Sequence, residues 1–265
     1  MTTLSLSTRL RRAASTWGAI ITLLMVQHYN QRFKSSRIGI ILTFIEPVLL
    51  VVSLVVFRTF IKLRLPEFGT SMVVFLSSGI FPYYFFLRVS TRMNTARFEA
   101  GRRLPRVGST DIIIASAGAE TVLMFSTMII WFASMWLYGL EEAYPASSFD
   151  CVVPLLLFVA MGVGVALINS TIAKRFPPWS FLYGRVTYGM MFLSGVFYVV
   201  DLLPVQVRSI MLWNPLVHGV EWFRTGLYGR YPAFTLDKQY LIVTACMTLL
   251  VGLVAHRGTM RVERV

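Results

Sequence analysis

Apolar runs of about the length of a membrane span alternate with short basic segments along the chain. A spanning helix needs about 20 mostly apolar residues, and an open strand in hydrocarbon leaves its backbone groups without hydrogen bonds. The pattern therefore predicts an all-α, polytopic membrane protein with one transmembrane domain over residues 1–265. The six predicted transmembrane helices are Ile38–Phe57, Ser71–Leu87, Ile112–Leu140, Cys151–Ala173, Phe181–Val200 and Gln239–Ala255.

Residues 201–238, between the fifth and sixth runs, are apolar enough to suggest a seventh span, but prolines and charged residues interrupt them. A seventh crossing would also place the basic C-terminal segment outside. Asn214 followed by Pro215 is typical of a helix N-cap and first helical residue, and this helix should end near Gly226 or Gly229. We therefore predict a re-entrant helical hairpin of two short helices that dips into the outer half of the membrane.

Residues 1–37 contain six basic residues, no acidic residue and one short apolar stretch at 17–26. No small-residue cleavage site follows that stretch, so a signal peptide is not indicated. We predict an N-terminal amphipathic interfacial helix on the inner leaflet, followed by the six-helix domain over 38–255 and a tail over 256–265.

The basic residues between the runs predict the orientation. The connections on the N-terminal side of the membrane contain 17 Lys and Arg residues and those on the opposite side contain 7. Because basic residues concentrate on the cytoplasmic side, we expect both termini in the cytoplasm. Arg58 is one of the bases on the less basic side, where it can reach lipid phosphates.

Composition supports a lipid environment. Hydrophobic residues make up 56% and charged residues 14% of the chain, against about 25% charged residues in a soluble domain. The net charge of +13 does not indicate nucleic acid, because the bases lie in clusters between apolar runs. The sequence has no G-x-x-x-x-G-K-[ST] motif, no D-x-D pair and no histidine spacing typical of a metal site. We therefore predict no catalytic residue, no metal site and no bound cofactor.

Ionisable residues inside the apolar runs are candidates for function, because each is unfavourable in hydrocarbon. Glu46, beside Pro47, is either a pathway residue or a structural ion-pair partner for the basic segment 32–37. Arg185 either reaches the inner headgroups or lines an entrance for an anionic substrate. Glu120 is interpreted as structural.

In the hairpin, His218, Glu221 and Arg224 recur at three-residue spacing and share one helix face. That face is either a contact surface for a substrate or partner, or a solvated face. The opposite stripe, which is predicted to be buried, consists of Leu216, Val220, Phe223 and Leu227.

Several short motifs resemble those of capsule polysaccharide export inner-membrane permeases, which are type-2 ATP-binding-cassette (ABC) transporter permeases. The most specific motif is the block from Leu212 to His218, which contains Trp213-Asn214-Pro215. The supporting motifs are Arg32-Phe33, Arg37-x-Gly39, Glu46-Pro47, Gly79-x-x-Pro82, Asp111 and Glu120. The chain departs from the family pattern at Gln27-His28, Lys34 and Leu42.

The resemblance implies a homodimer that works with two separate ATPase subunits, which bind ATP and Mg, and exports a lipid-linked polysaccharide from the bacterial inner membrane. Periplasmic and outer-membrane export proteins would then carry the polymer outward. The hairpin would form the periplasmic exit. ATPase docking would involve Arg32, Arg37, Arg102 and Arg103.

Aromatic side chains are candidates for the substrate pathway, because their faces give apolar contact to sugar rings. The candidates are Tyr83, Tyr84, Tyr188 and Phe192; alternatively, such residues form the interfacial belt of a membrane protein. Competing functions are O-antigen or teichoic acid export, small-molecule export, a membrane-embedded transferase and a passive channel.

Overall fold

The structure is a computed structural model that describes residue 18 and residues 20–27, 37–60, 68–100 and 109–262, with the backbone alone for 37–43, 92–100, 109–111 and 259–262. All regular structure within these ranges is helical. Residues 20–27 are helical, and eight further α-helices follow: α1 (Arg37–Phe60), α2 (Met72–Ala100), α3 (Ser109–Leu137), α4 (Ser148–Arg175), α5 (Trp179–Met190), α6 (Val205–Met211), α7 (Pro215–Tyr228) and α8 (Lys238–Val262).

Four of the described helices are long and apolar enough to cross a membrane: Met72–Thr91 in α2, Ile112–Leu137 in α3, Ser148–Arg175 in α4 and Lys238–Gly258 in α8. They correspond to four of the six predicted spans. Helix α1 covers the first predicted span with 24 residues, which is about 36 Å of helix at 1.5 Å per residue.

Helix α2 lies at the centre of the bundle and packs against α1, α3, α4, α5 and α7. The most extensive contact between two helices joins α4 to α8, where the backbones meet directly. A Cβ on Gly164 would lie 2.4 Å from the backbone of Thr248, and one on Gly252 would lie 2.4 Å from the carbonyl oxygen of Gly164. Only glycine at both positions allows this approach.

The second predicted span, which was expected to end before Arg88, is longer in the structure. Helix α2 continues through Arg88 to Ala100. Carboxylates from two neighbouring helices lie beside the Arg88 guanidinium, so the charge does not end the helix.

The fifth predicted span, Phe181–Val200, is not one helix. Helix α5 ends at Met190, and two 3₁₀ turns follow at Met191–Leu193 and Val200–Leu202. Gly195 between them has φ 68°, a conformation that interrupts a right-handed helix. We call residues 191–203 the unwound segment.

Two short helices, α6 and α7, lie between the fifth and sixth predicted runs. The side chain of Asn214 accepts a hydrogen bond from the Leu216 N–H and caps α7, and Pro215 is its first residue. The helix ends at Tyr228 before Gly229, which has φ 67°. Both ends of α7 are therefore confirmed as predicted, since they depend on local capping chemistry.

Candidate functional site

Arg224 on α7 is fully buried and binds the backbone of the unwound segment. Its Nη1 donates to the carbonyl oxygens of Gly195 (2.8 Å) and Tyr198 (3.0 Å), and its Nη2 donates to that of Val196 (2.7 Å). Outside a helix these carbonyls have no backbone partner, and a buried, unpaired carbonyl is costly. One guanidinium thus replaces the helical hydrogen bonds of three residues.

Helix α2 supports the same guanidinium from the other side. The Phe75 ring lies under it, with 4.2 Å between Cζ and the ring centroid, and the Ser78 hydroxyl accepts from Nε at 3.3 Å. Gly79 allows the unwound segment to approach, because a Cβ there would lie 2.3 Å from the Val196 carbonyl oxygen. We call Arg224 and these contacts the Arg224 cluster.

Glu221 supplies the negative charge of the Arg224 cluster. Its Oε1 lies 3.5 Å from Arg224 Nη1 and accepts from the Tyr231 hydroxyl at 2.9 Å. Burial raises the pKa of the Glu221 carboxyl to about 7, against the opposing effect of Arg224. Burial also raises the pKa of Tyr231, so the phenol keeps its proton and acts as a donor. Arg224 and Glu221 thus form a buried ion pair, and the Tyr231 hydroxyl hydrogen-bonds to both residues.

Asn214 and Arg58 bind two further carbonyls of the unwound segment. Asn214 Nδ2 donates to the Leu193 carbonyl oxygen at 3.1 Å and to the Ser194 hydroxyl at 3.0 Å. Arg58 on α1 donates to the Phe197 carbonyl oxygen at 2.9 Å. The segment is therefore tied to α1 and α7 as well as to α2.

His218 connects α7 to the start of α8. Its Nδ1 accepts from the Asp237 N–H at 3.1 Å, and its Nε2 lies 3.0 Å from the Leu212 carbonyl oxygen. These two contacts require the neutral imidazole with the proton on Nε2. His218 is 3% exposed, so the ring acts as an internal connection.

The polar face predicted for this helix is inside the protein. Glu221 and Arg224 are as buried as His218, and the opposite stripe of Leu216, Val220, Phe223 and Leu227 is buried too. The expectation of a solvated or substrate-exposed face does not hold in this chain, since α2, α4 and α8 pack around α7. Trp213, just before the helix, is 82% exposed.

A second buried arginine, Arg88 on α2, lies among acidic side chains. Its Nη2 is 2.6 Å from Glu46 on α1, and its Nη1 is 3.8 Å from Glu120 on α3. The Tyr188 hydroxyl on α5 donates to the other oxygen of Glu46 at 2.9 Å. Arg88 is 2% exposed and the Glu46 side chain 33%. This Arg88 cluster therefore joins four helices and reaches the surface at Glu46 and Tyr188.

The remaining pathway candidates lie in different environments. Tyr83 and Tyr84 belong to the buried core, and the Tyr83 hydroxyl donates to the Thr187 carbonyl oxygen at 2.5 Å. Phe192 is exposed and contacts the Phe197 ring. Arg185 is exposed on α5, and its guanidinium lies 5.1 Å from the Phe181 ring centroid. The structure thus brings Glu46 and Tyr188 into contact, whereas the described contact of Arg185 is with Phe181.

The predicted ATPase-docking residues fall where the structure gives little information. Arg32, Arg102 and Arg103 lie outside the described residues, and only the backbone of Arg37 is described. Their role stays a prediction.

Sequence reasoning missed Arg88 as a site residue and interpreted Arg58 as a lipid contact. A signal for Arg88 was present, because two acids inside apolar runs, Glu46 and Glu120, each require a donor. No comparable signal marks Arg58, whose partner is a backbone carbonyl of the unwound segment.

The family model of the ABC-2 type transporter matches residues 19–228, a range that includes both arginine clusters and α7. The chain belongs to the ABC-2 type transporter family. It is therefore the membrane subunit of an ABC transporter, which agrees with the resemblance inferred from the motifs. ABC-2 membership is also consistent with the four apolar helices.

Named relatives of this ABC-2 chain include capsule exporters. It is 28% identical over 239 residues to the polysialic acid transport protein KpsM of Escherichia coli, covering 88% of this chain and 91% of KpsM. It is 27% identical over 251 residues to the capsule polysaccharide export inner-membrane protein BexB of Haemophilus influenzae, covering 93% of each chain. The O-antigen export system permease protein RfbA of Klebsiella pneumoniae is 23% identical over 251 residues, covering 89% of this chain and 91% of RfbA.

Proposed function

We propose that this ABC-2 membrane subunit exports a lipid-linked capsular polysaccharide across the bacterial inner membrane. The observation that carries the proposal is similarity to KpsM and BexB over nearly the full length of all three chains. Separate ATPase subunits would bind ATP and Mg and drive the transport. The energy would thus come from partners, and this chain would supply the path.

We propose six crossings, with α1 as the first and α5 plus the unwound segment as the fifth. Non-helical backbone at membrane depth is tolerated only where the protein satisfies it. Arg224, Asn214 and Arg58 do so here. The α6–α7 hairpin would dip into the outer half of the membrane, and the 17-to-7 distribution of bases favours cytoplasmic termini.

The exposed surface of α1 and α5 is the proposed wall of the pathway, completed by a second copy of the chain. Glu46 on α1 and Tyr188 on α5 are hydrogen-bonded at this surface, where Phe192 is also exposed. A carboxylate, a phenol and an aromatic ring offer hydrogen bonds and apolar contact to a moving sugar chain. Tyr83 and Tyr84 would support this wall from behind.

The N-terminal interfacial helix and the basic segment that follows α2 are the proposed docking sites for the ATPases, through Arg32, Arg37, Arg102 and Arg103. Periplasmic and outer-membrane export proteins would meet the hairpin side. Charge reversal at Arg102 and Arg103 should lower co-purification of the ATPase while the membrane domain stays folded. Unchanged co-purification would remove this assignment.

O-antigen export is the second candidate, because RfbA also aligns over most of this chain. Its identity of 23% is lower than the 27–28% for the capsule proteins. The two candidates differ in the polymer that would accumulate when the chain is absent.

The deciding experiment is deletion of the gene followed by fractionation and immunogold microscopy with antibodies to capsule and to O-antigen. Full-length capsular polymer retained in the cytoplasm would support the proposal. Retained O-antigen would support the second candidate. Normal surface polymers would exclude both, and loss of polymer synthesis would indicate a biosynthetic role.

A further inference from the structure

An apolar cavity of about 310 Å³ lies between α3, α4 and α7. Its walls come from the last three turns of α3, the α3–α4 connection, the first turn of α4 and the inner helix α7. Ala133 and Trp136 line it on α3, Tyr144 lines it in the connection, and Phe223 and Leu227 form its floor on α7.

The position of the cavity along α3 indicates that its opening is surrounded by lipid. Helices α3 and α4 are both apolar enough to span the membrane, so the outward side of α3 meets lipid. Ile129, Ile130 and Leu137 on that side are 61–78% exposed. The cavity occupies the outer-end turns of α3, which is the level of acyl chains close to the headgroups.

The rim of the cavity contains an aromatic pair. Trp136 and Tyr144 are 50% and 65% exposed, and their ring centroids are 5.9 Å apart. Tryptophan and tyrosine concentrate where acyl chains give way to headgroups. The lining has no charged side chain, and an apolar cavity of this kind excludes water.

The α3–α4 connection at the rim is acidic. The connection between α3 and α4 contains Glu141 and Glu142 and neither Lys nor Arg. The Glu142 carboxylate accepts from the backbone N–H groups of Thr70 and Ser71, whereas Glu141 is exposed in the same turn as Tyr144. A headgroup at this rim would therefore meet a carboxylate, which favours an ammonium group over a net negative charge.

We infer that this cavity is a binding site for one acyl chain of an outer-leaflet phosphatidylethanolamine, with the headgroup amine beside Glu141. The assignment to the outer leaflet depends on the orientation proposed above. The site itself is inferred from the apolar lining, the aromatic rim and the negative charge of Glu141. A bound chain would contact Phe223, the neighbour of Arg224, so the lipid would support α7 from the side opposite the unwound segment.

The test uses the complete transporter, with its ATPase subunits, in lipid nanodiscs. Phosphatidylethanolamine and phosphatidylglycerol, each with a diazirine at the end of one acyl chain, are photolysed in separate samples, and labelled residues are mapped by mass spectrometry. Both leaflets contain the probe, so the result does not depend on the proposed orientation. Phosphatidylethanolamine should label the cavity walls on α3 and α7 more strongly than phosphatidylglycerol, and Glu141→Gln should remove this preference.

Ala133→Phe fills the cavity from an exposed position and should abolish the labelling. Ser134→Phe, the next residue on the same helix and outside the cavity lining, is the matched control and should keep it. Ile129→Trp provides a second filled variant if Ala133→Phe does not fold. Labelling unchanged in a folded filled variant, or equal labelling by both lipids, would overturn the inference.

Two further results would identify a different occupant and also overturn it. Displacement of the probe by purified lipid-linked polysaccharide would assign the cavity to the lipid anchor of the polymer. A disulfide between two copies of an Ala133→Cys variant would assign it to an interface between copies. Neither result depends on whether the deletion strain accumulates capsule, so failure here is distinguishable from failure of the proposed function.

Discussion

The Arg224 and Arg88 clusters both involve helix α2. Ser78 of the first cluster and Arg88 of the second are ten residues apart, which is about 15 Å along the helix axis. Both arginines are at most 2% exposed. Arg224 binds mainly backbone carbonyls, and its ion-pair partner Glu221 lies on its own helix. The described ion-pair partners of Arg88 are instead side chains on two other helices.

This difference indicates different roles for two similar buried charges. Carbonyls held by Arg224 cannot move without breaking the fold of the unwound segment, so the Arg224 cluster acts as a fixed support. Side chains around Arg88 can exchange partners by changing rotamers, and Glu46 already reaches the surface. We therefore expect changes at Arg224 to affect folding and changes around Arg88 to affect transport.

The largest effect is expected for Arg224→Met. It leaves three carbonyls buried without their donor and the Glu221 carboxylate without its positively charged partner. Breaking a buried ion pair in this way costs about 3–5 kcal/mol. The variant should be nearly absent from the membrane fraction in a quantitative immunoblot. Arg230→Met, at an exposed position nearby, is the control and should accumulate normally. Normal accumulation of Arg224→Met would contradict the supporting role.

Gly79→Ala should have the next largest effect. The added Cβ would overlap the Val196 carbonyl oxygen, and overpacking of this kind costs about 1–3 kcal/mol or more. Gly184→Ala is the matched control, since a Cβ there meets no atom within 4 Å. Thermal unfolding of the purified proteins should show a lower melting temperature for Gly79→Ala alone. Equal melting temperatures would show that the unwound segment is free to shift.

Glu46→Gln and Glu120→Gln test the Arg88 cluster as a pair. Each single variant leaves Arg88 one of these two carboxylates, whereas the double variant removes both. The free energies of unfolding of the two single variants and the double variant should therefore give a coupling energy of about 0.5–3 kcal/mol between Glu46 and Glu120. Glu46→Gln alone should slow export more than it lowers abundance. If abundance and export fall in proportion, the Arg88 cluster is a structural support like the Arg224 cluster.

Asn214→Asp separates two functions of one side chain with a smaller effect. Aspartate still caps α7 but has no donor for the Leu193 carbonyl oxygen, whereas Asn214→Ala loses both contacts. Loss of the cap alone costs about 1 kcal/mol. Asn214→Ala should therefore be less stable than Asn214→Asp in thermal unfolding. Equal stability of the two variants would show that the cap makes no measurable contribution to the stability of the protein.

Arg185→Gln should have the smallest effect on stability, since Arg185 is exposed and its described contact is one aromatic ring. A rate of export that falls with unchanged abundance would support guidance of an anionic polymer. An unchanged rate would leave Arg185 as a headgroup contact. Pulse-chase measurement of surface polymer distinguishes the two results.

Features that depend on neighbouring residues could be predicted from the sequence. The bounds of α7 follow from Asn214-Pro215 and Gly229, and four spans follow from apolar length. The break after Met190 could not be predicted, because residues 181–200 are apolar and the atoms that replace the helical hydrogen bonds come from Arg224 and Asn214. Such a break depends on contacts between distant parts of the chain.

The sites show the same division between local and distant information. Glu46 was identified as a candidate because a carboxylate in an apolar run is unusual, but its partners Arg88 and Tyr188 depend on which helix faces meet. The burial of His218, Glu221 and Arg224 was not predictable from their spacing. Three-residue spacing shows that side chains share a face and gives no information on what covers that face.

The close contact between Gly164 and Gly252 bears on how the protein is assembled during synthesis. Helix α4 leaves the ribosome long before α8, so the groove at Gly164 has no partner until residue 252 has been made. The insertion machinery therefore receives α4 in an incompletely packed form, and the bundle completes its packing only after α8 has entered the membrane. The contact surface of α4 at Gly164 therefore stays uncovered until α8 has been made and inserted.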